Sequence, residues 1–487
     1  MTRQGHAPAD AERQRGEKPE TAACPGAADT DACARTCPGD EAGMGTPVCD
    51  FVNRYVQSGA VRLHMPGHKG QDGMARDITE IPGADVLYAA GGILRESEDN
   101  ASRLFGCPTF YSCEGSSLCI RAMLALAAFR ARRKGVPLRL LAGRNAHRVF
   151  ASGAALAGFD VDWLTPPSPD VLSCPVSPDG LAGRLQRERY AAVYLTSPDY
   201  LGQMADLPAL AAVCRSAGVP LLVDNAHGAY LRFLPHSLHP IDLGADLCCD
   251  SAHKTLPVLT GGAYLHIAPA AAADFLSEAE RALGLFASTS PSYLLLQSLD
   301  NVNPYLQSAF PAALRVCVER VSALRQAAQE AGIPTLGDEP AKLTLAPKAY
   351  GYTGEELATV FAGAGVVCEF ADPDYLVLMF SPANDEGDYA RVRDVLRALP
   401  RKAVIRTLPP PLPLAKQMLP LREAMLAPSV LLDAADCVGR VLADPCVSCP
   451  PAVPILLSGE TVTPEAVALF RYYGIQKLRV VDLKGEV

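Results

Sequence analysis

Apolar and polar positions along the chain follow two periods. From Ser116 to Lys134, apolar side chains recur at Leu118, Ala122, Ala125 and Phe129, the spacing of one helix face. Short apolar runs follow at Leu138 to Ala142, Ala191 to Thr196, Val219 to Asp224, Ala245 to Asp250 and Gly262 to Ile267, with a helical stretch at Pro208 to Ala217. Runs of that length bounded by turn-formers read as buried strands. Strands alternating with helices predict an α/β unit, a mostly parallel sheet with helices on both faces.

After about residue 300 the pattern changes. A helix is expected over Pro311 to Ala331, then a strand at Lys342 to Ala346, a helix at Thr353 to Ala364, strands at Val366 to Phe370 and Tyr375 to Phe380, and a helix at Tyr389 to Leu399. This is a smaller α+β unit. The Pro-rich run Leu408 to Leu414 reads as an extended linker, and the last segment ends in a strand-like Lys477 to Asp482. The first 47 residues hold no Leu, Ile, Val, Phe, Tyr or Trp, too little apolar surface to offset their ordering entropy, and read as disordered. The expected organisation is a disordered extension at 1–47, a large domain at 48–305, a small α+β domain at 306–407 and a C-terminal segment at 408–487. No internal repeat is visible.

Composition narrows the function classes. Hydrophobic residues make up 49% and charged residues 20%, ordinary for a globular protein, and the net charge of −9 argues against a nucleic-acid partner. The most apolar helix, Leu118 to Phe129, is interrupted by Arg121 and flanked by Arg130, Arg132 and Arg133, so no membrane span is expected. No secretory signal is seen at the N-terminus, and a cytoplasmic protein is expected. The 16 cysteines then read as reduced thiols. Cys446 and Cys449 form a lone CxxC in a Pro-rich turn without a second pair or a histidine partner, so no metal is expected.

Four features carry candidate chemistry. Asp250-Ser251-Ala252-His253-Lys254-Thr255 follows an expected strand, where ligands bind in open α/β sheets. A partly desolvated Lys254 can form an imine with an aldehyde cofactor, and Ser251 and His253 offer hydrogen bonds to a phosphate. Asp224, ending the strand before it, can pair with the pyridine nitrogen of pyridoxal 5′-phosphate and keep it protonated. Glu114-Gly115-Ser116-Ser117 opens the long helix: Gly115 lets the backbone approach, and two hydroxyls join the helix N-terminus as a phosphate cradle. His147, in Arg144-Asn145-Ala146-His147, can stack on a pyridine ring. Taken singly, Lys254 reads as a surface lysine, Asp224 as a cap or turn residue, the Ser116–Ser117 stretch as an ordinary helix start and His147 as a core or surface histidine. Their joint order (cradle, stacking ring, aspartate, lysine) fits the aspartate-aminotransferase-like fold, fold type I, of pyridoxal-phosphate enzymes.

With those residues in place, the sequence resembles the bacterial ornithine/lysine/arginine decarboxylases, in the shorter form without an N-terminal receiver-like domain. The resemblance lies in HMPGHKG (64–70), DITEIPGADVL (77–87), RNAH (144–147), TSPDYLG (196–202), VDNAHGAY (223–230), SAHKTLPVLTGGAYLH (251–266), TSPSYLLLQSLD (289–300), VGRVLAD (438–444) and CPPAVPILLSGE (449–460). It implies a Schiff base on Lys254, Asp224 on the ring nitrogen, His147 on the ring face, and Gly115, Ser116, Ser117, Ser251 and His253 around the phosphate. It also implies His227 beside the cofactor, and Ser290 and Ser292 reaching the neighbouring subunit's phosphate region. The implied assembly is a homodimer or larger homo-oligomer with active sites at the interface. The implied reaction is decarboxylation of a small-molecule substrate, a basic amino acid (lysine, arginine or ornithine), with His253 or Lys254 returning a proton to Cα. Transamination or elimination on the same cofactor, or a non-catalytic cofactor-binding role, are the alternatives. The chain departs from the family pattern at Glu114, Asn225, Tyr230, Gly261, Asp444, Cys449 and Ala452. Several of these lie where a substrate would sit, so the resemblance bears more on the cofactor than on the amino acid used.

Overall fold

Seven strands build the central sheet of the computed structural model: β1 (Thr109–Ser112), β2 (Arg139–Gly143), β3 (Asp160–Leu164), β4 (Ala192–Thr196), β5 (Leu221–Asp224), β6 (Leu247–Asp250) and β7 (Ala263–Ile267). Their order is β1-β7-β6-β5-β4-β2-β3. β7 runs antiparallel to both of its neighbours, and the other six share one direction. The structure describes residues 44–166, 173–413, 415–448 and 453–482. The expected disordered extension therefore lies outside the described residues up to position 43, and a helix, Pro47–Gln57, begins at its last residue.

β5 and β6 are buried at every position, as expected of strands covered on both faces, and their sequence is apolar without alternation up to a closing aspartate in each. The helix Gly115–Lys134 is also buried on most of its circumference, including Cys119, Ile120, Met123 and Leu124 beside the expected stripe. Its alanines allow close approach to the sheet, and Gly135, at φ +61°, ends it. Because β1, β2, β4, β5 and β6 run the same way, their carboxyl ends open onto one edge of the sheet, where a ligand crevice is expected.

A second sheet contains β8 (Thr335–Leu336), β9 (Lys342–Leu345), β10 (Phe370–Ala371) and β11 (Leu376–Met379), in the order β10-β11-β9-β8 and wholly antiparallel. The helices Phe310–Glu330, Gly354–Gly363 and Glu386–Ala398 share a separate core with it, built on Val321, Leu343, Phe361, Leu376 and Val392. One expectation changes here. The strand expected at Val366 to Phe370 begins only at Phe370. Gly365 turns the chain at φ +76° and Val367 is 94% exposed, so the β-branched run before Phe370 lacks a buried face.

Residues 401–413 hold no regular secondary structure, and Leu414 lies outside the described residues. Beyond them Ser429–Asp433 pairs with Lys477–Val481, and Cys446–Ser448 with Pro454–Leu457. Cys449, the second cysteine of the CxxC, also lies outside the described residues. Among the described residues no helix is long and apolar enough to cross a membrane.

Candidate active site

The carboxyl edge of the large sheet gathers the candidate residues. Lys254 sits on a single helical turn, Ala252–Thr255, directly after β6, with Nζ 2.9 Å from His227 Nε2. Asp224, the last residue of β5, is 2% exposed, and its Oδ2 accepts the Tyr194 hydroxyl at 3.0 Å. The surrounding protein, which strips water from the ammonium, lowers the Lys254 pKa, with Lys342 adding to this while Asp224 and Glu369 pull the other way. Asp224 and Glu369 are thus both close enough to act on the amine. His147 joins the same group, since Asp224 and Lys254 both act on its ring. It caps the helix Arg148–Ala157, with Nδ1 accepting the Val149 N–H at 3.3 Å, so the neutral ring carries its proton on Nε2.

The candidate phosphate cradle lies where β1 ends and β7 begins. Gly115 (φ +68°) donates its N–H to the carbonyl of Gly261 (φ +105°) at 2.8 Å, and both sit in the left-handed region that favours glycine. A Cβ at Gly261 would stand 3.2 Å from the Cys113 carbonyl oxygen. Glu114, at the N-cap of the helix, does not cap it with its side chain; its Oε1 instead accepts the Ser288 N–H at 2.6 Å. The first-turn N–H groups near Ser116 and Ser117 are left without a side-chain cap, the arrangement that binds anions. Ser251 donates its hydroxyl to Ser116 Oγ at 2.8 Å, bringing together two predicted residues from the end of β6 and the start of the long helix.

His253 is placed differently from a simple acid. Its Nδ1–H donates to the Gly262 carbonyl at 3.0 Å, and its backbone N–H donates to the same oxygen at 3.2 Å. The neutral ring then has only an acceptor at Nε2, so a proton from His253 requires the charged ring. Ser292 caps the helix Tyr293–Gln307, and Ser288 and Ser290 share a hydrogen bond beside Glu114, so this stretch packs on the phosphate loop of its own chain.

Several residues of the site escaped the sequence reading. Lys342, which opens β9, places Nζ 3.0 Å from His227 Nδ1 and 2.6 Å from Glu339 Oε2. Tyr200 lies edge-on to His227 at 5.1 Å and donates its hydroxyl to Glu369 Oε1 at 2.9 Å. Two of the departures from the family pattern also acquire partners. Tyr230 is buried against Glu339, and Asn225 donates to Asp250 Oδ1 at 2.7 Å. Asp250 also takes His239 and His266 on Oδ2 at 3.0 and 3.1 Å. Burial alone would raise its pKa, but the two histidines hold it far below the carboxylate range, so β6 is anchored just before Ser251. A charged residue heading the short strand KLTL was the one local signal for Lys342.

The donor set fits pyridoxal 5′-phosphate: an amine for the aldehyde, a buried carboxylate for the ring nitrogen, an imidazole at the cleft, and an uncapped helix start with Ser116, Ser117 and Ser251 for the phosphate. The family model described as "Orn/Lys/Arg decarboxylase, major domain" matches residues 46–338, which include all of these groups. The uncharacterized protein YaaO of Bacillus subtilis (strain 168) is 26% identical over 476 residues, covering 91% of this chain and 96% of that protein. Arginine decarboxylase of the same strain is 25% identical over 464 residues, covering 87% and 92%. The solved constitutive lysine decarboxylase of E. coli shares the fold, with a TM-score of 0.71 at 17% identity over 90% of this chain and 82% of that one. A family match over more than half of the chain, on a frame whose strand ends gather these groups, makes this chain a member of the pyridoxal-phosphate-dependent Orn/Lys/Arg decarboxylase family.

Proposed function

We propose that the protein removes the α-carboxyl group of a basic amino acid (lysine, arginine or ornithine) as carbon dioxide and releases the amine. The observation that carries the basic side chain is Glu369, a carboxylate held by the Tyr200 hydroxyl and close enough to Lys254 for its charge to act on the amine. A substrate whose α-amine takes the place of Lys254 would direct a cationic tail toward it. The name of the Bacillus subtilis arginine decarboxylase puts arginine first among the three.

When bound, pyridoxal 5′-phosphate supplies an electron sink for the pair left at the substrate α-carbon. Lys254 would hold it covalently, Asp224 would keep the ring nitrogen protonated, His147 would lie on the ring, and Gly115, Ser116, Ser117 and Ser251 would bind the phosphate. Lys254 is better placed than His253 to return the proton to Cα, because His253 commits Nδ1–H to Gly262. A second copy of the chain belongs to this proposal. It is supported by the exposed apolar residues Val61 (83%), Leu63 (90%) and Met65 (67%), on and beside HMPGHKG.

The test is to incubate the purified holoenzyme with lysine, arginine, ornithine and a neutral amino acid while measuring carbon dioxide and amine. Equimolar carbon dioxide and amine from a basic substrate is the expected outcome. A keto acid without carbon dioxide would replace decarboxylation with transamination.

A further inference from the structure

Taking Lys254 as the cofactor lysine, as proposed above, we infer that Lys342 is a positioning residue acting through His227: it fixes the imidazole proton on Nε2, and that N–H keeps the Lys254 amine neutral and nucleophilic. His227 stands between two amines, with Nε2 2.9 Å from Lys254 Nζ and Nδ1 3.0 Å from Lys342 Nζ. A neutral imidazole has one N–H and one acceptor nitrogen. Two ammonium groups would compete for that acceptor, and one contact would set N–H against N–H. A charged imidazole would need both amines neutral. Burial, with the charge of Lys342, holds this ring well below the usual histidine range.

The surroundings decide which lysine keeps its proton. Lys342 is 2% exposed, pairs with Glu339 at 2.6 Å and donates to the Asp199 carbonyl at 3.2 Å. The ammonium thus has hydrogen bonds to the Asp199 carbonyl and His227 Nδ1, and an ion pair with Glu339. Glu339 is in turn held by the Tyr230 hydroxyl at 3.4 Å, while Tyr230 Oη accepts the Ala341 N–H at 3.0 Å. A buried carboxylate at 2.6 Å and two further acceptors are the partners that select the ammonium form of this lysine. His227 Nδ1 is then an acceptor, its proton sits on Nε2, and the Lys254 lone pair receives it. The groups acting directly on Lys254 are consistent with this order. Burial opposes its charge most, Lys342 adds to that, and Asp224, Glu369 and Cys249 favour the ammonium.

Two measurements test the chain of donors, neither of them turnover, so their failure is separate from a failure of the decarboxylase proposal. The first is nitrogen NMR on the full chain, selectively labelled with ¹⁵N-histidine and freed of cofactor, with the His227 signals assigned by their loss in His227→Asn. A protonated Nε2 and an unprotonated Nδ1 are expected; the opposite tautomer, or a doubly protonated ring at neutral pH, overturns the inference. The second is the pH dependence of Lys254 acetylation by acetic anhydride, followed by peptide mass spectrometry. Removing both buried charges in Lys342→Met/Glu339→Gln should move the half-point up by at least about one pH unit, leaving about tenfold less neutral amine at a given pH below it. Lys342→Arg should keep the native half-point. An unmoved half-point in the folded double variant overturns the inference, and the NMR measurement on the native chain decides it if that variant does not fold.

Discussion

Arg144 and Glu460 form a bidentate ion pair, Nη1 to Oε1 at 2.7 Å and Nη2 to Oε2 at 2.8 Å, with side chains only 6% and 7% exposed. The pair joins the end of β2, three residues before His147, to the C-terminal segment. Glu460 also accepts the Leu457 N–H at 2.8 Å, and Arg144 donates to the Ile455 carbonyl at 3.3 Å. Cutting one partner leaves a buried charge unmatched, so Glu460→Ala should lose about 3–5 kcal/mol of stability. Replacing both by apolar residues, as in Arg144→Met/Glu460→Leu, should cost less than either single change. Urea unfolding of the three variants checks the order, and equal midpoints for Glu460→Ala and the native protein would refute a contribution from the pair.

The covalent link is the most direct prediction at the site. Borohydride reduction of the holoenzyme should fix the cofactor on the peptide carrying Lys254, and Lys254→Ala should abolish both that adduct and turnover. Asp224→Asn keeps the shape but removes the charge proposed to pair with the ring nitrogen. It should bind the cofactor and lose turnover by at least about 100-fold, the scale of one preorganised electrostatic group. Full turnover in Asp224→Asn would place the electron-sink function elsewhere.

What could be read from the sequence follows burial and locality. The inner strands were legible because burial on both faces leaves them apolar without alternation, as in Leu221 to Val223 before the closing Asp224. β3, at the edge of the sheet, keeps Asp160 exposed and was not. Lys254, Asp224, His147 and the Ser116–Ser117 stretch stand out in the sequence because each follows or closes a strand or opens a helix, and the structure gathers them on one sheet edge. The opposing wall was not legible: Lys342 lies 115 residues from His227 and comes from another sheet. Glu369 falls in the stretch expected as a strand, where it pairs by its backbone N–H with the Val377 carbonyl at 3.0 Å while its side chain turns to Tyr200. Long-range pairings of this kind leave no local pattern.

Glu369 gives the specificity prediction. If its carboxylate receives the cationic end of the substrate, Glu369→Gln removes a charge-assisted hydrogen bond worth about 1.5–3 kcal/mol. KM for the preferred basic amino acid should then rise about tenfold or more, with a smaller change in kcat. Tyr200→Phe, which frees the same carboxylate from its hydroxyl partner, should give a change in the same direction and of lesser size. Steady-state kinetics on both variants separate the two constants, and an unchanged KM in Glu369→Gln would remove this residue from substrate recognition.

Glu98 predicts how stability depends on pH. It is 1% exposed, and one oxygen accepts the Tyr111 N–H at 2.9 Å while Arg95 lies 3.3 Å from the other. Burial outweighs both contacts and raises its pKa from 4.5 to about 8. The folded chain therefore holds a proton that the unfolded chain has released across that window. The stabilisation is complete below about pH 4.5 and is lost as pH rises through about 8, a loss of a few kcal/mol. Glu98→Gln keeps an acceptor for Tyr111 without the titration. Its thermal midpoint should stay close to the native one at about pH 5 and exceed it at about pH 9, where the native carboxylate is ionised in a buried site. Parallel pH dependences for the two proteins would show that Glu98 ionises at its ordinary pKa.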